Sequence, residues 1–119
     1  MKLESDSYLL RIFIGESDKL NGKPLMEVIV NEARKRGMAG ATVLRGFLGF
    51  GAHSRIHTSK VLRLSEDLPV IIEIVDRKVR MDAFLPELDA MITEGLVALE
   101  PVRVIAYRHG PESDAEPSR

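Results

Sequence analysis

Residues 8–37 read YLLRIFIGESDKLNGKPLMEVIVNEARKRG, and the change of period inside this stretch decides the fold. Residues 8–14 (YLLRIFI) are apolar, partly β-branched and short, which is the pattern of a strand. Residues 15–23 (GESDKLNGK) are polar and carry Gly15 and Gly22, so they read as a loop. Pro24 suits the first turn of a helix, where its missing N–H costs nothing. Leu25, Val28, Ile29 and Ala33 then recur at helical spacing. Arg34, Lys35 and Arg36 lie where the helix dipole favours cations, and Gly37 supplies the stop.

The same reading extends outward. Residues 41–50 form a second strand with Gly46 and Gly49 inside it, and glycine in a strand suggests a bulge or a close backbone approach. Residues 56–64 alternate in part, as a hairpin arm or a mobile segment, and residues 65–68 are a turn. Residues 69–75 (PVIIEIV) are a third strand with Pro69 at its first position, where no ladder bond is lost. Asp82 reads as the N-cap of a second helix carrying Phe84, Leu85, Leu88, Met91 and Ile92. Pro86 then falls near the first turn and Gly95 ends the helix. Residues 97–107 hold the last strand, with Pro101 marking an edge or a bulge. Residues 110–119 (GPESDAEPSR) are polar and contain proline, which predicts a disordered tail after a domain spanning 1–109.

Strand, helix, strand, long loop, strand, helix, strand is the ferredoxin-like βαββαβ order. It predicts an α+β fold: a four-stranded antiparallel sheet with two helices on one face. The uncovered face of such a sheet is expected to be polar in a monomer. Here Leu9 and Phe13 flank only Arg11, Ile71 and Val75 flank Glu73, and Ile105 and Tyr107 follow Arg103. A second apolar face predicts burial against another subunit.

A chain of 119 residues fits one domain and buries a core without disulfides or metals. It has no Cys, hence no thiol chemistry. No apolar run approaches a membrane span and no signal peptide precedes the first strand, so a soluble cytoplasmic protein is expected. The net charge of −1 argues against bulk binding of nucleic acid. Charge distribution says more. Residues 33–65 contain no Asp or Glu, yet hold Arg34, Lys35, Arg36, Arg45, Arg55, Lys60 and Arg63 with His53 and His57. A local cationic excess on a neutral body suits a compact anion, although a plain solvated loop has the same composition.

No protease, triad or Walker pattern is present, so catalysis has no visible nucleophile and an enzyme acting on a small phosphate ester is a distant reading. His53 and His57 share a face in a helix or a strand, which makes a divalent-metal site the main rival reading. They lack a local third ligand, and most such histidine pairs bind nothing. Anion binding has more support. Phosphates need backbone N–H groups in a concavity, and Gly46, Gly49 and Gly51 let the backbone come close. Arg45, Arg55, Lys60 and Arg63 add charge nearby, with Arg103 and Arg108 able to face the same cleft from a neighbouring subunit. Phe50 reads as a core or hinge residue, or as a stacking platform for a base.

The segments NEARKRGMAGATVLRGFLGFG and IHTSKVLRLSEDLPVIIEIVD, with IFIGE, GKPLMEVIV and FLPELDAMI, resemble the domain of unknown function 190 family over most of residues 9–104. That family is similar to the P-II nitrogen-regulatory proteins. The resemblance implies a homotrimer with a loop between the second and third strands. It also implies an adenine nucleotide (AMP, ADP or ATP) as effector in the cleft between subunits, no resident cofactor and no enzymatic activity. By the same resemblance the loop contacts a protein target, with a membrane channel or transporter as the candidate. Two departures stand out. Residues 76–81 (DRKVRM) lack the glycine-rich phosphate cradle of P-II proteins, and the loop holds no Tyr to be uridylylated.

Overall fold

A computed structural model describes residues 6–50 and 67–108. Strands β1 (Ser7–Gly15), β4 (Thr42–Arg45), β5 (Pro69–Arg77) and β6 (Leu96–Val102) make one antiparallel sheet in the order β4-β5-β1-β6. Helices α1 (Leu25–Lys35) and α2 (Lys78–Met91) pack on one face. This is the ferredoxin-like α+β arrangement that the order of elements predicts. Between β1 and α1 a two-residue hairpin, β2 (Lys19–Leu20) and β3 (Lys23–Pro24), replaces the expected plain loop. Its turn residues Asn21 and Gly22 have φ of 53° and 81°, the pair of positive angles that an Asn-Gly hairpin turn requires.

Alternation along the central strands builds the core. Leu10, Ile12 and Ile14 of β1 stand opposite Ile74, Ile72 and Val70 of β5. They meet Leu25, Ile29 and Ala33 of α1 and Met81, Phe84 and Leu88 of α2, and all are buried. Helix α1 ends as Gly37 predicts. Gly37 N–H donates to the Arg34 carbonyl and Met38 N–H to the Ala33 carbonyl, a Schellman closure that the Gly37 φ of 70° permits.

Helix α2 corrects the sequence reading. It begins at Lys78, directly after β5, rather than at Asp82. Asp82 lies within the helix and accepts a hydrogen bond from Lys78 Nζ at 2.8 Å. Pro86 is therefore interior, not in the first turn. Its ring removes the N–H that would reach the Asp82 carbonyl, and the exposure of both residues lets water serve that carbonyl. The cationic run 77–80 spans the end of β5 and the entrance of the helix. Strand β4 stops at Arg45 rather than running to Phe50, and β6 stops at Val102, leaving Ile105 and Tyr107 beyond the sheet. Pro101 sits on β6, an edge strand, where a missing donor is tolerated. Before β6, Gly95 is required: a Cβ there would stand 2.7 Å from the Phe13 carbonyl oxygen.

The opposite sheet face carries Leu9, Arg11 and Phe13 in register with Val75, Glu73 and Ile71. Arg11 Nε lies 2.9 Å from Glu73 Oε2, an ion pair inside an apolar field. Leu44 and Leu96 extend that field at 44% and 58% exposure. The expected arm at 56–64 and tail at 110–119 lie outside the described residues.

Candidate functional site

The 46–68 connection leaves β4 and enters β5 beside the turn that follows β1, so three segments meet at its base. Each is fixed by hydrogen bonds that turn chemistry supplies. Gly46 N–H donates to the Pro69 carbonyl at 2.6 Å, and Glu16 N–H to the Leu68 carbonyl at 2.8 Å. Asp67 Oδ1 accepts from Ser17 N–H at 3.0 Å and Ser17 Oγ at 2.8 Å. Asp18 Oδ2 accepts from Gly15 N–H at 2.9 Å, while its carbonyl accepts from Leu25 N–H, the first residue of α1. The base of the connection is thereby tied to the start of the helix layer.

Gly46 and Gly49 show why glycine stands at these positions. A Cβ on Gly46 would lie 2.8 Å from Pro69 Cγ and 3.1 Å from Pro69 O; on Gly49 it would lie 3.0 Å from Pro69 Cγ. The close backbone approach expected from glycine in this stretch is an approach to Pro69. Phe50 is 69% exposed, so it is not the core residue the sequence offers as one reading; Phe47 and Leu48 beside it are similarly exposed.

Arg45 ends β4 opposite Val70, on the helix side of the sheet. Its Nε lies 3.1 Å from Glu16 Oε2 and its Nη2 3.1 Å from Glu16 Oε1. The acid-free sequence around Arg45 thus misleads about its charge environment, because folding brings in a carboxylate from the turn after β1. Glu16, Ser17, Asp18 and Asp67 are absent from the residues singled out by sequence. Their only signal is the turn-forming composition of GESD and SED at the two positions.

Arg103 and Arg108 are exposed beyond β6. Val102 stands opposite Ser7, whereas Arg45 is opposite Val70 and Val70 opposite Ile14. From Ile14 to Ser7 is about 23 Å at the rise of a strand. One chain therefore does not bring Arg103 to Arg45, and a shared cleft needs a second subunit. Gly51, His53, Arg55, His57, Lys60 and Arg63 lie outside the described residues. Among the described residues no cluster of His, Asp or Glu has the arrangement of a metal site. Nor is any helix among them long and apolar enough to cross a membrane.

The profile of DUF190, described as "Uncharacterized ACR", matches residues 7–104. The chain belongs to the DUF190 family. Among curated relatives, a UPF0166 protein of Aquifex aeolicus is 39% identical over 97 residues, covering 82% of this chain and 91% of that one. A UPF0166 protein of Methanocaldococcus jannaschii is 35% identical over 92 residues, covering 76% and 84%. Two solved structures of CPII from Thiomonas intermedia K12 share the fold. One, bound to ADP, AMP and acetate, has a TM-score of 0.54 at 17% identity. The other, bound to ADP and bicarbonate, has a TM-score of 0.53 at 19% identity, and each comparison covers 82% of this chain and 87% of CPII. This DUF190 chain is thus P-II-like in fold. At the β5–α2 junction it has no glycine-rich loop, since Arg77 ends the strand and Lys78 starts the helix.

Proposed function

We propose that this DUF190 protein is a trimeric, non-enzymatic P-II-like regulator of the cytoplasm that binds an adenine nucleotide between subunits. The observation that carries the reading is the fold it shares with CPII, which holds ADP in two structures. The base of the 46–68 connection supports it locally. Gly46 and Gly49 leave no side chain over the backbone, and Arg45 ends the adjacent strand. In this reading Arg103 and Arg108 come to the nucleotide from the neighbouring subunit. The uncovered face of Leu9, Phe13, Ile71 and Val75 packs against copies of itself. The effector favours one arrangement of the connection over another, and residues 52–63 meet a protein target, a membrane channel or transporter being the candidate.

Native mass measurement combined with calorimetric titration of ATP, ADP and AMP, with and without divalent metal, tests this. A trimer at micromolar concentration and saturable nucleotide binding without turnover are expected. Replacing Leu96, which is 58% exposed in the single chain, by Glu leaves folding intact and dissociates the trimer. A monomeric wild type, or no nucleotide bound, sinks the reading. Binding that requires metal points to the histidine reading instead, and consumption of the nucleotide to an enzyme.

A further inference from the structure

Arg45 does not present an unoccupied guanidinium. Two of its nitrogens meet the two oxygens of Glu16, one to each, at 3.1 Å. A guanidinium grips a phosphate with the same two-pronged geometry, because both acceptors offer paired oxygens at matching spacing. That edge of the fork holds one such acceptor at a time.

We propose that Glu16 is an internal competitor for Arg45, so that a phosphate-bearing effector binds by displacing the Glu16 carboxylate. The inference rests on the reading of Arg45 as an effector-binding cation. The surroundings permit the exchange. The side chains of Arg45 and Glu16 are 55% and 28% exposed, so the pair sits at the surface, where ion pairs contribute little net stability. The Glu16 backbone is held independently, by its N–H on the Leu68 carbonyl and by Ser17 on Asp67. The carboxylate can therefore leave while the turn keeps its shape. A fixed carboxylate competitor also sets specificity. It is displaced most readily by groups carrying more negative charge than itself, which favours phosphates and diphosphates over monocarboxylates.

The test uses Glu16→Gln, which keeps the shape and removes the charge, with Glu16→Ala as a second variant. Calorimetric titration with inorganic pyrophosphate and with ADP is compared across wild type, both variants, Arg45→Ala and the double change. Loss of the competitor is expected to tighten binding about two- to fivefold, the scale of an exposed ion pair. The gain shrinks with added salt and is absent when Arg45 is also replaced. Unchanged pyrophosphate binding in both Glu16 variants overturns the proposal because no competitor has been removed, and weaker binding overturns it because Glu16 then holds Arg45 in place for the anion. A gain for pyrophosphate with no ADP bound by any protein overturns the nucleotide reading and leaves the competition standing. Failure of both anions to bind wild type and variants alike overturns both.

Discussion

The two ends of β5 solve one problem with the same residue type and opposite burial. At the Pro69 end, Asp67 accepts from the backbone and hydroxyl of Ser17, and the whole arrangement is in contact with water. At the other end, Asp76 is 0% exposed. Its Oδ2 accepts from Ala39 N–H at 2.8 Å and its Oδ1 from Arg77 N–H at 2.7 Å, while Arg80 Nε stands 3.8 Å away. Arg80 also donates through Nη1 to the Gly37 carbonyl, and Tyr107 Oη donates to the Ala39 carbonyl at 3.2 Å. Both carboxyl groups fasten a connection to the sheet. A buried group that loses its partners has no water to replace them, whereas an exposed one does. The Asp76 end is built as a fixed joint; the Asp67 end is built from contacts that can be exchanged, which suits a site where a ligand must compete.

The largest expected effect breaks the fixed joint. Asp76→Ala strands the Ala39 and Arg77 N–H groups and leaves Arg80 without its acid. It is expected to cost about 2–4 kcal/mol of unfolding free energy, the scale of two partly buried N–H groups left without their acceptor. Asp67→Ala, by contrast, is expected to cost about 1 kcal/mol, because water takes over from the lost acceptor. Urea unfolding of both variants measures the difference. Equal losses would mean that burial is not what separates the two ends.

A smaller effect probes the exchangeable end through its backbone. Gly46→Ala places a Cβ 2.8 Å from Pro69 Cγ and 3.1 Å from the carbonyl that Gly46 N–H uses. Overpacking of this kind costs about 1–3 kcal/mol. Gly40→Ala is the control: its Cβ would meet nothing within 4 Å, so little change is expected. Slower amide exchange at Gly46 in Gly46→Ala than in wild type would contradict the predicted loosening.

These residues also show what a sequence discloses. The period-two pattern of YLLRIFI and PVIIEIV and the helical spacing of Leu25, Ile29 and Ala33 are direct imprints of burial, so the elements and their order could be read. The glycines of the 46–50 stretch announced a close approach, but not that Pro69 was its partner. What stayed hidden depends on contacts between distant segments. Glu16 neutralises Arg45 from 29 residues away. The start of α2 was masked because Asp82, four residues into the helix, has the chemistry of a cap. In the fold Arg77 ends β5, Lys78 starts α2, and Arg80 meets Asp76 and the end of α1. Where Arg103 and Arg108 sit relative to a second copy of the chain is a question about neighbouring subunits, and no pattern within one chain encodes it.

The smallest expected effect lies two residues from the largest. Lys78 Nζ donates to Asp82 Oδ2 at 2.8 Å across one turn of α2, with both side chains more than half exposed. That hydrogen bond, and then the charge of Asp82, raise the Lys78 pKa above its ordinary 10.5. The sign follows from linkage. The folded protein holds the Lys78 proton more tightly than the unfolded chain. The contribution to stability is therefore complete below the unfolded value near 10.5 and disappears as pH rises through the higher folded value. Its size is limited from two directions. Water screens the pair, and Lys at the N-terminal end of a helix opposes the macrodipole, the less favourable order for an i, i+4 pair. Lys78→Gln is accordingly expected to shift the unfolding midpoint only slightly at pH 8, and that shift is expected to fade as pH rises through the raised folded pKa, where wild type loses the same charge. A loss at pH 8 approaching that of Asp76→Ala would show that Lys78 is engaged in something beyond its pair with Asp82, and that the entrance of α2 is held by charge as well as by the buried carboxyl group behind it.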